Sequence, residues 1–169
     1  MTGVDTWLAI ASRRETRDYS DRPVPDEVVG AILDAGRLAG SATNRQPWRF
    51  VVVESETARE ALAAAVYAPA NVLGAHVVVA IVGRSGFDIG RCAQNMLLAA
   101  WNAGVGGCPN GLADPDTARA ALGLGADEQA AIVLTFGYPA RERHPSLHTS
   151  EEWSARANRK SLDELVSRV

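Results

Sequence analysis

Three arginines fall within five residues, Arg13-Arg14-Glu15-Thr16-Arg17, and a small polar run, Ser41-Ala42-Thr43-Asn44-Arg45, closes on Gln46-Pro47-Trp48. A guanidinium presents a planar fork of donors that meets phosphate oxygens two at a time. Asn44 and Gln46 each carry donor and acceptor on one group, as the edge of a heterocycle with alternating N–H and C=O requires. Together the two runs suit a phosphorylated aromatic cofactor. Each alone has a plainer alternative. An arginine cluster is often a solvated basic turn, and Gln-Pro-Trp is often a turn into a strand.

Composition narrows the class. The chain has 169 residues, 47% of them hydrophobic and 22% charged, which describes one globular domain. A formal charge of −3 argues against nucleic acid, whose backbone demands a basic stripe. The arginines near residue 13 therefore read as a local site. Cys92 and Cys108 form no CxxC pair and have no histidine cluster, so zinc is not expected. They read as buried, reduced thiols of a cytoplasmic protein. Residues 1–11 lack the basic start and apolar run of a signal peptide. No apolar stretch reaches membrane-spanning length.

The elements that must position these residues follow from periodicity. Trp7, Leu8 and Ile10 suggest a short opening helix. Val28, Ile32, Ala35 and Ala39 share one face, so 26–39 reads as a helix entered through Pro25. Residues 50–54 and 77–82 read as strands, with an Ala-rich helix over 57–66 broken at 69–74. Residues 88–103 read as a helix apolar almost all round, ending at Gly104, with 104–111 a Gly-rich loop. Asp114-Pro115 opens a helix to about 122, and 130–136 is a third strand. Residues 138–157 read as irregular, and Ser161 with Glu164 caps a last helix over 162–168. The Gly-rich loop is not GxGxxG and does not pass from strand to helix. The run Gly83-Arg84-Ser85-Gly86 also has the wrong spacing for a dinucleotide turn.

The order of these motifs resembles the nitroreductase family of FMN-dependent oxidoreductases. The likeness rests on Arg-Arg-x-x-Arg, then Val24-Pro25-Asp26-Glu27, then Ser41 to Trp48. It continues at Gln94 to Ala100, Gly104 to Gly111 and Gly137-Tyr138-Pro139. The resemblance implies an α+β fold with a mainly antiparallel central sheet flanked by helices, built as an intertwined homodimer. Residues 1–169 would form one flavin-binding domain, with 138–169 a tail wrapping the partner. It implies NAD(P)H as donor and a ping-pong passage of electrons to a nitroaromatic, quinone or activated alkene. A non-catalytic flavin-binding or sequestering protein is the alternative.

Residue by residue, the resemblance places Arg13 on the FMN phosphate and Arg14 toward phosphate or ribityl chain. Arg17 would lie toward the N1/O2 edge of the ring, where a cation favours reduction. Glu15 stands where the family usually has serine, and a carboxylate there opposes a phosphate. Gly40 stands where the family often has proline. Ser41, Asn44 and Gln46 would meet ribityl and ring from the other subunit. Pro109, Asn110 and Gly111 would lie along the flavin, with a backbone N–H near Asn110 reaching N5. Asn71 would meet the pyrimidine edge or serve as a core or turn asparagine. Arg159 and Lys160 would face the phosphate or be ordinary solvated charge. No side chain is expected to act as catalyst, since the flavin carries the chemistry.

Overall fold

A computed structural model describes residues 5–84 and 86–169. The signal-peptide reading at residues 1–4 and the Ser85 of the Gly83 to Gly86 run lie outside them. The described chain forms two compact units, one from residues 14–143 and one from the two ends, up to 13 and from 144 onward.

The larger unit is built on four strands: β1 (Arg49–Val52), β2 (Val77–Val82), β3 (Gly106–Asn110) and β4 (Ala130–Gly137). They lie in the order β1-β2-β4-β3, every pair antiparallel. The expected α+β architecture is therefore the one observed. The unbroken apolar run of β2 has a simple cause: both faces of the sheet are covered. Val79 and Ile81 face helices α2 (Asp26–Arg37) and α5 (Gly86–Asn102), where Ile32, Met96 and Ala100 complete the layer. Val78 and Ala80 face the side of α3 (Glu56–Ala64), α4 (Pro69–Gly74) and α6 (Pro115–Ala121), with Leu62, Val72 and Ala118. Asp114 caps α6 as expected, its Oδ1 accepting from the N–H groups of Asp116 and Thr117 at 3.0 and 3.1 Å.

Five expectations change. Gly106 to Asn110, read as loop, is an edge strand paired with β4, with Cys108 opposite Thr135 and Asn110 opposite Val133. Residues 69–74, read as a break, are a helical turn with Pro69 in its first turn, where a missing N–H costs nothing. Helix α2 stops at Arg37, and α5 starts two residues early at Gly86. Helix α5 is not apolar all round: Phe87, Arg91, Gln94 and Asn102 form an exposed face opposite Cys92, Met96 and Ala100.

In the terminal unit, α1 (Thr6–Ser12) is capped by Asp5, whose Oδ1 accepts from the N–H groups of Trp7 and Leu8. It packs on the 3-10 turn Pro145–Leu147 and on α7 (Ser150–Ala155). Helix α7 replaces chain expected to be irregular. A capping box between Thr149 and Glu152 starts it, and the Trp153 indole N–H donates to the Pro145 carbonyl at 2.7 Å. The last helix, α8 (Leu162–Leu165), keeps its expected capping box but is shorter than 162–168.

Candidate cofactor site

Segment 16–20 lies beside the glycine-rich start of β3 and the end of β4. The Thr16 N–H donates to the Gly107 carbonyl at 3.1 Å, and the Ser20 N–H to the Tyr138 carbonyl at 2.8 Å. The approach is close because Gly106 and Gly137 lack side chains. A Cβ on Gly106 would sit 2.6 Å from Thr16 Cβ, and one on Gly137 would sit 2.8 Å from Tyr19 Cδ1. This contact holds the arginine run against the sheet. A cavity of about 240 Å³ opens there, lined by Glu15, Thr16, Arg17, Asp18, Pro139, Arg141 and Arg143. Three guanidinium groups outnumber two carboxylates. Thr16 is buried, and its Oγ1 has no hydrogen-bond partner.

Arg141 and Arg143 belong to the stretch 138–157 that reads as irregular and polar, and no site role is expected of them there. The signal for one is an Arg-x-Arg spacing directly after Gly137-Tyr138-Pro139, at the end of a buried strand.

Tyr19 anchors the floor of the segment. Its hydroxyl donates to the Thr16 carbonyl at 2.7 Å and lies 3.0 Å from Thr135 Oγ1. Burial pushes its phenol up to about 12. The neutral form is thus the one the fold favours. Its contribution is complete below the free phenol value near 10 and is lost as pH rises through 12. Urea denaturation between pH 8 and 11.5 is expected to show wild type losing about 1–2 kcal/mol more than Tyr19→Phe. Parallel pH profiles would remove Tyr19 from this role.

The turn at 41–46 is exposed and conformationally costly. Thr43, Asn44 and Gln46 all have positive φ, at 50°, 55° and 49°, in a region that non-glycine residues avoid. Internal bonds hold it. The Gln46 N–H donates to Ser41 Oγ at 2.8 Å, and Gln46 Nε2 to Asn44 Oδ1 at 3.3 Å. From α5, the buried Asp88 accepts from the Ala42 N–H at 3.4 Å. The structure therefore brings Ser41, Asn44 and Gln46 into one presented cluster.

At the far end of β3, Asn110 and Asn71 meet directly. Asn71 Nδ2 donates to Asn110 Oδ1 at 2.7 Å, and both side chains are buried. Beside them, the Tyr67 N–H donates to the Gly111 carbonyl at 3.2 Å, and a Cβ on Gly111 would sit 3.3 Å from Cδ2 of the Tyr67 ring. Tyr67 is 77% exposed, an aromatic ring held at the surface by its backbone. The sequence reading did not single it out.

Arg13, Arg159 and Lys160 belong to the terminal unit: Arg13 closes α1, and the other two precede α8. Cys92 and Cys108 are buried and not joined in a disulfide, and burial pushes the Cys92 thiol up to about 11, which leaves it a poor nucleophile.

Comparison with known proteins matches this architecture to one family. The nitroreductase family model matches residues 10–84 and 83–138. An NADH dehydrogenase of Thermus thermophilus is 29% identical, over 85% of this chain and 91% of its own. A provisionally named NADH dehydrogenase/NAD(P)H nitroreductase of Archaeoglobus fulgidus is 35% identical, over 79% of this chain and 85% of its own. Among solved structures, a provisionally named nitroreductase from Desulfovibrio desulfuricans, in complex with FMN, superposes with a TM-score of 0.82 at 29% identity, covering 98% of both chains. The chain belongs to the nitroreductase family and is a nitroreductase-like oxidoreductase.

Proposed function

We propose that this chain is an FMN-dependent oxidoreductase that takes electrons from NADH or NADPH. It passes them to an electron-poor acceptor, a nitroaromatic, quinone or activated alkene, with donor and acceptor using one site in turn. The observation that carries this reading is the cationic cavity lined by Arg17, Arg141 and Arg143, on the segment that Gly106 and Gly137 let pack against the sheet. The FMN complex of the Desulfovibrio desulfuricans relative supports the choice of cofactor, and the NAD(P)H nitroreductase name of the Archaeoglobus relative supports the donor.

The residues present fit the group. Arg17, Arg141 and Arg143 make a donor set suited to a phosphorylated ligand, and their charge offsets Glu15 and Asp18. Arg13, Arg14, Arg159 and Lys160 are further phosphate or ribityl donors. Ser41, Asn44 and Gln46 present polar edges to ribityl and ring, and the strain of their turn is what a preorganised contact surface stores. Pro109, Asn110 and Gly111 offer bare backbone along the ring, with Asn71 behind them. When bound, FMN supplies a ring nitrogen that accepts and returns a hydride. The chain contributes position, electrostatics and shielding.

The working form is an intertwined homodimer in the cytoplasm, with the 41–46 turn of each subunit serving its partner. Exposed Trp7, Leu147, Leu162 and Leu165 on the terminal unit support such burial. The test is an absorbance spectrum of the purified protein before and after NADPH, with sedimentation equilibrium alongside. A yellow dimer bleached by NADPH is expected. A colourless protein that ignores added FMN would overturn the reading, and a yellow one that never consumes NAD(P)H would favour the flavin-sequestering alternative.

Tyr67 supplies a planar surface for an aromatic acceptor at the end of β3. Tyr67→Ala is expected to raise KM for nitroaromatics about 3- to 10-fold, the scale of one aromatic stacking contact. Steady-state kinetics with a nitroaromatic and with a small non-aromatic alkene check this, and equal changes for both would refute it.

A further inference from the structure

We propose that Asn71 and Asn110 form a latch that fixes the β3 backbone against the cofactor, making both of them positioning residues for hydride transfer. This rests on the reading of residues 109–111 as the cofactor-facing segment. β3 is an edge strand whose own residues give it little to hold by. Gly106, Gly107 and the following Gly111 have no side chains, and Pro109 has no N–H to donate. Anchorage falls to Cys108 and Asn110, both buried.

The Asn110 amide is bound on every side. Its Nδ2 faces the Cys108 carbonyl at 3.0 Å, Thr135 Oγ1 at 3.2 Å and the Val133 carbonyl at 3.3 Å. Its Oδ1 accepts from Asn71 Nδ2 on α4. A flipped amide would set its oxygen against two carbonyls and its nitrogen against another nitrogen. One orientation of Asn110 is therefore selected, and with it one position of the backbone that carries it. The Thr135 hydroxyl extends the set, donating to the Cys108 carbonyl at 3.2 Å and meeting the Tyr19 hydroxyl. Helix α4, both strands and segment 16–20 are tied through this one amide.

Two buried amides are a costly way to fill space that leucine would fill, because each must find partners or remain desolvated. What they add is direction. With one Nδ2 hydrogen on Asn110 Oδ1 and the other facing Cys108 Sγ at 3.9 Å, Asn71 has only its Oδ1 to offer any ligand. It acts on the site mainly through β3.

The test uses the full chain with Asn71→Leu, Asn110→Leu and the double substitution. Each single change strands one buried amide and is expected to lower the thermal midpoint. The double change removes both and is expected to recover most of that loss. A positioning role separates from a structural one in the double variant. Its kcat for NADH oxidation should stay lowered about 10-fold or more, since small misplacements at a reacting centre are expensive. KM should change less than about 3-fold on the same reasoning, as substrate contacts are untouched. In the FMN-free protein, amide hydrogens of Cys108 and of residues 110–112 should exchange faster while those of β2 do not. If the double variant does not fold, Asn71→Ala leaves Asn110 its three sheet partners and should show the same kcat loss. Wild-type kcat, or wild-type exchange at Cys108 and 110–112, in the variant that folds would overturn the latch. Wild-type protein that binds no FMN would overturn the reading of the site and the latch together.

Discussion

Gly106→Val is expected to destabilise the protein by about 3 kcal/mol or more, enough to endanger folding of the larger unit. The first added carbon already fails. A Cβ at this position would lie 2.6 Å from Thr16 Cβ and 2.8 Å from Thr16 Cγ2. Thr16 cannot swing aside, because it is buried and its N–H is bonded to the Gly107 carbonyl. Relief would require lifting segment 16–20 from the sheet edge, which breaks the Ser20 and Tyr19 contacts as well. Gly106→Ala should cost about 1–3 kcal/mol, and adding Thr16→Gly should recover part of it. Gly30, in α2, is the contrast. A Cβ there meets nothing within 4 Å, so Gly30→Ala should stabilise by about 0.5–1 kcal/mol through helix propensity. Denaturant midpoints of the four variants decide the matter. A Gly106→Val protein as stable as wild type would show that the arginine run does not depend on this contact.

The second large effect concerns FMN. Arg141→Ala and Arg143→Ala should each weaken binding about 10-fold, and the double variant about 100-fold, the scale of charge-assisted bonds in a solvent-reached cavity. Affinity should fall further with added salt for wild type than for the double variant, since fewer charges remain to be screened. Arg17 lines the same cavity but should act differently. If it lies toward the ring, Arg17→Ala lowers the midpoint potential of the bound flavin, because a negative charge gained on reduction loses its cation. Arg17→Lys keeps the charge without the planar fork and should shift it less. Fluorescence titration and redox titration at fixed pH separate the two roles. Equal potentials in wild type and Arg17→Ala would assign Arg17 to the phosphate with Arg141 and Arg143. Unchanged affinity in the Arg141→Ala/Arg143→Ala variant would empty the cavity of its proposed ligand.

Elements whose side chains announce their period were legible in the sequence. β2 and β4 are near-continuous apolar runs because both sheet faces are covered, and α6 declares itself through Asp114-Pro115. β3 was not legible. Gly-Gly-Cys-Pro-Asn has no strand preference, and it is a strand because β4 offers a partner and because only glycine fits at 106 against Thr16 and at 107 against Phe136 and Leu97. Helix α7 carried a readable capping box, Thr149 with Glu152, that the surrounding polar residues obscured. In the site, the arginine run and the Ser41 to Trp48 turn stood out by residue type. Arg141 and Arg143 gain meaning only from the return of the chain to residue 17. The pairing of Asn71 with Asn110 joins residues 39 positions apart, and nothing local to either marks the other.

The terminal unit has a consequence for how the chain is made. Helix α1 is synthesised before its packing partners, the 145–147 turn and α7, which emerge only after the intervening 14–143 segment, about 130 residues later. At ordinary translation rates of roughly 5–20 residues per second, α1 waits several seconds without its neighbours. The larger unit holds all four strands and can fold within that interval. Arg13 at the end of α1 thus leaves the ribosome well before the segment from 144 onward that completes its unit.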